Sequence, residues 1–189
     1  MHRTMLPWVA RIAEAFPRHD FERFHTVVLP DLVAHRGHLV AAYVRDLAPL
    51  AFKADNGSAY CWQAAGQGVR VAAGTAGAET IVELSQATFS EHINQLLSAV
   101  GASQTGRARI AAGQLAHWRA WEPAIRSLID GRPIYDAAVR ETLVDSGGQH
   151  LPLDHSFSVD DSLDEMAHFL RTMGYLHIRS VFAPPEIAM

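Results

Sequence analysis

The sequence predicts an α+β fold in which a mainly antiparallel sheet is covered by helices, and three observations predict it. Between Pro49 and Ser85 the apolar residues recur with period two in short runs. On both sides of that region they recur at helical spacing, and Gly- and Asn-bearing turns separate the runs. Runs of strands followed by runs of helices belong to the layered α+β class.

Taken in chain order, Val9, Ile12, Ala13 and Phe16 form one apolar helical stripe with Pro7 near its first turn. This N-terminal stretch carries Arg3, Arg11 and Glu14, and its uncharged run is too short for a signal-peptide core or a membrane span, so a cytoplasmic protein is expected. Residues 21–47 read as a second helical region, interrupted at Pro30 and Gly37, with Leu39, Tyr43 and Leu47 on one face. PLAFKA and SAYCWQA then flank Asp55-Asn56-Gly57, whose Asn and Gly supply the positive φ of a tight hairpin turn. VRVAAG follows as a third strand. ETIVELS, the fourth, sets Thr80, Val82 and Leu84 on one face and Glu79 and Glu83 on the other, completing an expected antiparallel meander.

Thr88 and Glu91 form a capping box that predicts a helix over residues 88–100, bearing Phe89, Ile93, Leu96, Leu97 and Val100 and closed by Gly101. GRARIAAG is a further strand, and PAIRSLIDG a short helix started by Pro123 and stopped by Gly131. The small and polar residues from Ser146 to Ser156 read as a linker, which divides the chain into an accessory α+β domain over 1–150 and a second part over 151–189. The second part opens with a capping box, Ser162 to Glu165, and a helix bearing Leu163, Met166, Ala167 and Leu170. Gly174 ends it, YLHIRSVF reads as a strand, and Pro184, Pro185 and Glu186 resemble the first turn of another helix.

A chain of 189 residues that is 49% hydrophobic is large enough for one well-buried domain with an appendage. Its net charge of −4 provides no basic field to gather nucleic acid or an acidic membrane. The single cysteine, Cys61, rules out an internal disulfide framework, and its apolar setting reads as a small buried hydrophobe.

Eleven histidines invite a metal reading, yet the one close pair, His35 and His38, is separated by a helix-weakening glycine and followed by no third ligand of fixed spacing. His150, Asp154 and His155 fall in the expected linker. No histidine is followed two places later by Asp or Glu, the usual linear signature of a two-histidine, one-carboxylate iron site. No phosphate-binding loop, dinucleotide fingerprint or nucleophile elbow is present, so no catalytic residue and no metal ligand is assigned in this chain. Arg107, Arg109, Arg119, Arg126 and Arg132 read either as solvated faces or as a basic rim for a carboxylate or coenzyme A phosphates. Under the helix of residues 88–100, Trp62, Leu84, Phe89, Ile93 and Leu97 are the candidate lining of a slot for a hydrophobic or acyl ligand, the alternative being a solid core.

The stretch DEMAHFLRTMGYLHIRSVFAPPEIA, residues 164–188, resembles the opening of phytanoyl-CoA dioxygenase-like proteins. ETIVELSQATFSEHINQLL, GRARIAAG and RAWEPAIRSLIDGRPIYD look like the region that precedes that domain in some bacterial members, similar in element order to sterol-carrier-type lipid-binding domains. The resemblance implies an oxygenase using Fe(II) and 2-oxoglutarate, with a double-stranded β-helix of which this chain holds only the first helix and strand. The family's iron-binding and oxoglutarate-binding residues would lie past Met189, so the chain is expected to be an inactive fragment. The competing classes are a complete, non-enzymatic lipid- or sterol-carrier-like module and a structural domain that forms a homodimer.

Overall fold

The computed structural model describes residues 15–66 and 68–182. The expected helix around Val9 and the turn at Pro184 to Glu186 lie outside them, with Phe16 alone described, in a turn. The chain divides into two compact units, Met1–Ile134 and Tyr135–Met189.

The first unit begins with one long helical run. Helix α1, Phe21–Arg23, is capped by Asp20, whose carboxylate accepts from the Arg23 N–H, and passes through a π turn, Phe24–Val28, into α2, Leu29–Arg36. Pro30 does not interrupt this run. It falls in the first turn of α2, just after the wide turn in which the Leu29 N–H has reached back five residues to Phe24 O, so the donor it lacks is displaced from the regular ladder. A 3₁₀ turn, Gly37–Leu39, and α3, Ala41–Val44, complete the segment.

Strands β1 (Leu50–Ala54), β2 (Ala59–Ala65), β3 (Gly68–Ala73), β4 (Thr80–Leu84) and β5 (Ala108–Ala112) form one sheet of order β3-β2-β1-β4-β5. The expected meander is corrected here. The β1–β2–β3 portion is antiparallel, but β4 crosses over to pair with β1 in parallel, Leu50 opposite Thr80 and Ala54 opposite Leu84, and β5 returns antiparallel to β4. Burial explains the order: β1 is buried on both faces at Leu50, Ala51 and Phe52 and needs a neighbour on each side, whereas β3, exposed at Arg70, Ala72 and Ala73, suits an edge.

The helices over this sheet also differ from expectation. In place of one helix over 88–100 there are two, α4 (Gln86–Ile93) and α5 (Ala99–Gln104). The N-cap of α4 is Ser85, whose hydroxyl accepts from the Thr88 N–H, and the run breaks where Gln95 takes φ 60°; Gly101 lies inside α5, capped by Ser98. Helix α6 runs unbroken from Leu115 to Asp130, with Pro123 inside it instead of at a start. Burial of Trp118, Trp121, Ile125 and Leu128 along one stripe holds both halves against the core and outweighs the one hydrogen bond that proline cannot donate. Gly131 ends α6 in the left-handed conformation, as expected.

In the second unit, Tyr135–Met189, the stretch expected as a linker has structure of its own. After the short helix α7 (Ala137–Arg140), Asp145 Oδ1 accepts from the Gly147 and Gln149 N–H groups, Val144 and His150 form a bridge, and Leu151 is buried. Loop composition hid this, because the Asp side chain builds the turn. Helix α8, Leu163–Met173, starts at Ser162 and ends at Gly174 as expected. Its buried face is Met166 and Phe169, packed with Leu151 and Phe157, while Leu163 and Leu170 are exposed. Only Ile178–Arg179 of YLHIRSVF is a strand, β7, paired in parallel with β6, Phe157–Ser158. No double-stranded β-helix is formed among the described residues.

Candidate functional site

Alternation along β1, β4 and β5 sends Phe52, Ala54, Val82, Leu84 and Ala108 to the helix-covered face and Lys53, Glu83 and Arg109 to the other. The register sets these three charges in a row across neighbouring strands. Glu83 Oε1 accepts from Lys53 Nζ at 3.2 Å and its second oxygen accepts from the Arg109 guanidinium. Those two hydrogen bonds hold the Glu83 carboxyl below its ordinary value. Arg107 donates to Glu91 Oε2 at 2.6 Å, which raises the pKa of its guanidinium.

Where β1 and β4 end, a groove of about 510 Å³ opens between Lys53, Ala54, Asp55 and Gly57, Glu83 and Leu84, and the segment Gly106–Arg109. Three cations and two acids surround its Ala54, Leu84 and Ala108 floor. Lys53 and Arg109 share the Glu83 carboxylate, while Arg107 is paired with Glu91. Of the five arginines read as a rim, Arg107 and Arg109 meet here, while Arg119 and Arg126 lie exposed on α6.

The five expected ligand-lining residues are brought together in one apolar cluster. Trp62, Leu84, Phe89 and Ile93 are each no more than 5% exposed, and Leu97 packs against them from partly buried ground. Leu84 is the member that also reaches the groove. Around them the aromatic rings interlock: Phe89 meets Phe21, Phe24 and Phe52 at centroid separations of 4.8, 5.4 and 5.6 Å, all edge-on.

Two histidines enter this interior, and sequence reading assigned neither a place in it. His25 stacks flat on Tyr60 at 4.4 Å, and its Nδ1–H donates to Phe21 O at 2.7 Å. Burial pushes its pKa down to about 4, the backbone bond opposing only in part. His92 donates from Nδ1–H to Leu97 O at 3.0 Å and accepts from Trp118 Nε1 at 3.0 Å; burial lowers its pKa against the Leu97 bond and Glu122. The signal for His25 lies in FERFH, where Phe21, Phe24, His25 and Val28 share a helical face. His92 lies between Phe89 and Ile93 and carries no signal of its own.

Among the described residues, no three His, Cys, Asp or Glu side chains come together as a metal site, so the residues present do not fit an iron centre. No described helix is long and apolar enough to cross a membrane.

No protein-family model matches the chain, and no curated protein does. Solved structures align with 56–68% of the chain. Sterol carrier protein 2 from Yarrowia lipolytica in its apo form shares 13% identity at a TM-score of 0.47, covering 60% of this chain and 98% of its own. The UbiJ-SCP2 ubiquinone synthesis protein shares 15% at 0.45, over 61% and 98%. A conserved hypothetical protein from Thermus thermophilus, described as possibly a sterol carrier protein, shares 18% at 0.41, over 61% and 88%.

Proposed function

We propose that the first unit is a non-enzymatic binding module for a hydrophobic small molecule with an anionic head, a fatty acyl compound being the simplest case. The observation that carries this reading is the groove at the ends of β1 and β4, where an apolar floor of Ala54, Leu84 and Ala108 adjoins the Lys53–Glu83–Arg109 row. An acyl chain gains from covering apolar floor, and a carboxylate or phosphate gains from cations that share a single acid. Leu84 joins the groove to the cluster of Trp62, Phe89, Ile93 and Leu97, toward which the chain end would extend.

The test is titration of the full chain with a fluorescent fatty acid. Saturable binding that weakens about tenfold in the Lys53→Glu, Arg109→Glu double variant, and falls with added salt, is the expected result. Ile93→Trp, which enlarges a side chain of the buried cluster, weakens binding if the tail reaches it. Absence of saturable binding to acyl and sterol probes overturns the reading in favour of a structural or dimerising domain. The wider reading, in which this module precedes an oxygenase domain, rests on the sequence resemblance of residues 164–188 and of the stretches before them, and no step of oxygen chemistry is derived from the residues present.

A further inference from the structure

Among the described residues, two polar atoms inside the aromatic layer have no hydrogen-bond partner, His25 Nε2 and Trp62 Nε1. Their residues are 2% and 1% exposed, so water outside the protein does not serve them. Buried polar atoms are almost always paired, and a specific exception calls for an explanation. Here the two atoms belong to neighbouring rings, with centroids 5.8 Å apart and planes at 76°.

The two atoms are also complementary. Because Nδ1–H of His25 is committed to Phe21 O, the neutral ring carries its lone pair on Nε2, which is an acceptor. The indole N–H of Trp62 is a donor only. A single guest serving both has to donate and accept at once. Water and an alcohol hydroxyl do so; a carboxylate or ether oxygen only accepts, and an ammonium only donates. His25 moreover sits in the π turn Phe24–Val28, a wide and costly local geometry that recurs at functional sites.

We propose that His25 and Trp62 form an interior site for one hydroxyl group, supplied by a resident water or by the alcohol of an apolar ligand that enters the aromatic layer. The site is separate from the groove and stands whether or not the groove takes an acyl anion.

The experiment uses the full chain labelled with ¹⁵N at histidine and tryptophan, with cetyl alcohol and its methyl ether as probes. The ether matches the alcohol in chain but cannot donate. Expected in the native chain is a hydrogen-bonded ¹⁵N shift at His25 Nε2. An alcohol affinity about tenfold above that of the ether, reduced to parity in the His25→Phe, Trp62→Phe double variant, assigns the hydroxyl to a ligand. A cross-relaxation signal from the Trp62 indole N–H to a long-lived water, without preference for the alcohol, assigns it to water. A free lone-pair shift at His25 Nε2, no bound-water signal and equal affinity for the two probes together overturn the proposal. The native-chain readouts decide the matter even where the double variant does not fold.

Discussion

Trp118 Nε1 donates to His92 Nε2 at 3.0 Å, a bond between buried side chains of α6 and α4 that joins the two helices over the sheet. With His92 Nδ1–H donating to Leu97 O, both ring nitrogens are satisfied in the neutral form. Trp118→Phe removes the donor, orphans Nε2 and leaves a small void, so it should destabilise the chain by about 2–4 kcal/mol in urea unfolding. A double cycle with His92→Leu isolates the bond; a coupling indistinguishable from zero would mean that packing alone joins the helices.

Acid should weaken the first unit before its carboxylates titrate. The His25 pKa lies near 4 in the fold against about 6.5 unfolded, so below pH 6.5 the unfolded chain binds a proton that the folded one refuses. Stability is therefore full above about pH 6.5 and is lost as pH falls toward 4, by on the order of 3 kcal/mol. His92 is lowered too and acts in the same direction. Urea midpoints measured from pH 7 to pH 5 should fall in the native chain and fall less in His25→Phe; parallel slopes would assign the loss elsewhere.

The cap of α4 provides a local test. Ser85→Ala should cost about 1 kcal/mol, because the Thr88 N–H loses its acceptor at 3.1 Å. Thr88 is buried with its hydroxyl on Ser85 Oγ at 3.0 Å, so it supports the cap without being the cap. An unchanged urea midpoint in Ser85→Ala would place the helix start elsewhere.

Gly113 and Gly106 separate crowding from backbone strain. Both hold positive φ, 79° and 68°, but a Cβ on Gly113 would lie 2.2 Å from Thr80 Oγ1 and 2.3 Å from Glu79 O, whereas one on Gly106 meets nothing within 4 Å. Gly106→Ala should cost about 1–2 kcal/mol from the left-handed backbone alone. Gly113→Ala should cost clearly more, since β5 cannot then close on β4. Equal costs by thermal melting would refute the close approach.

Several elements were legible because a local cause fixes them. Gly57, at φ 90°, turns the β1–β2 hairpin, although Asn56 does not take the positive φ expected of it; alternation in ETIVELS sends Thr80, Val82 and Leu84 inward, and Ser162 and Gly174 bound a helix in any context that lets one form. Trp62, Leu84, Phe89, Ile93 and Leu97, expected to line a slot, pack in one cluster, since side chains on inward faces meet whatever the strand order. What period and caps do not encode is which elements become neighbours. That β4 lies parallel beside β1 follows from β1 needing cover on both edges and faces, a property of the assembled sheet. Pro123 stays within α6 because four buried residues along the helix hold it together, a sum that no local window contains. The unpaired nitrogens of His25 and Trp62 arise in the same way. A histidine four residues after Phe21 and a tryptophan in β2 carry no mark of each other in sequence, and tertiary packing alone brings their rings together in one buried layer.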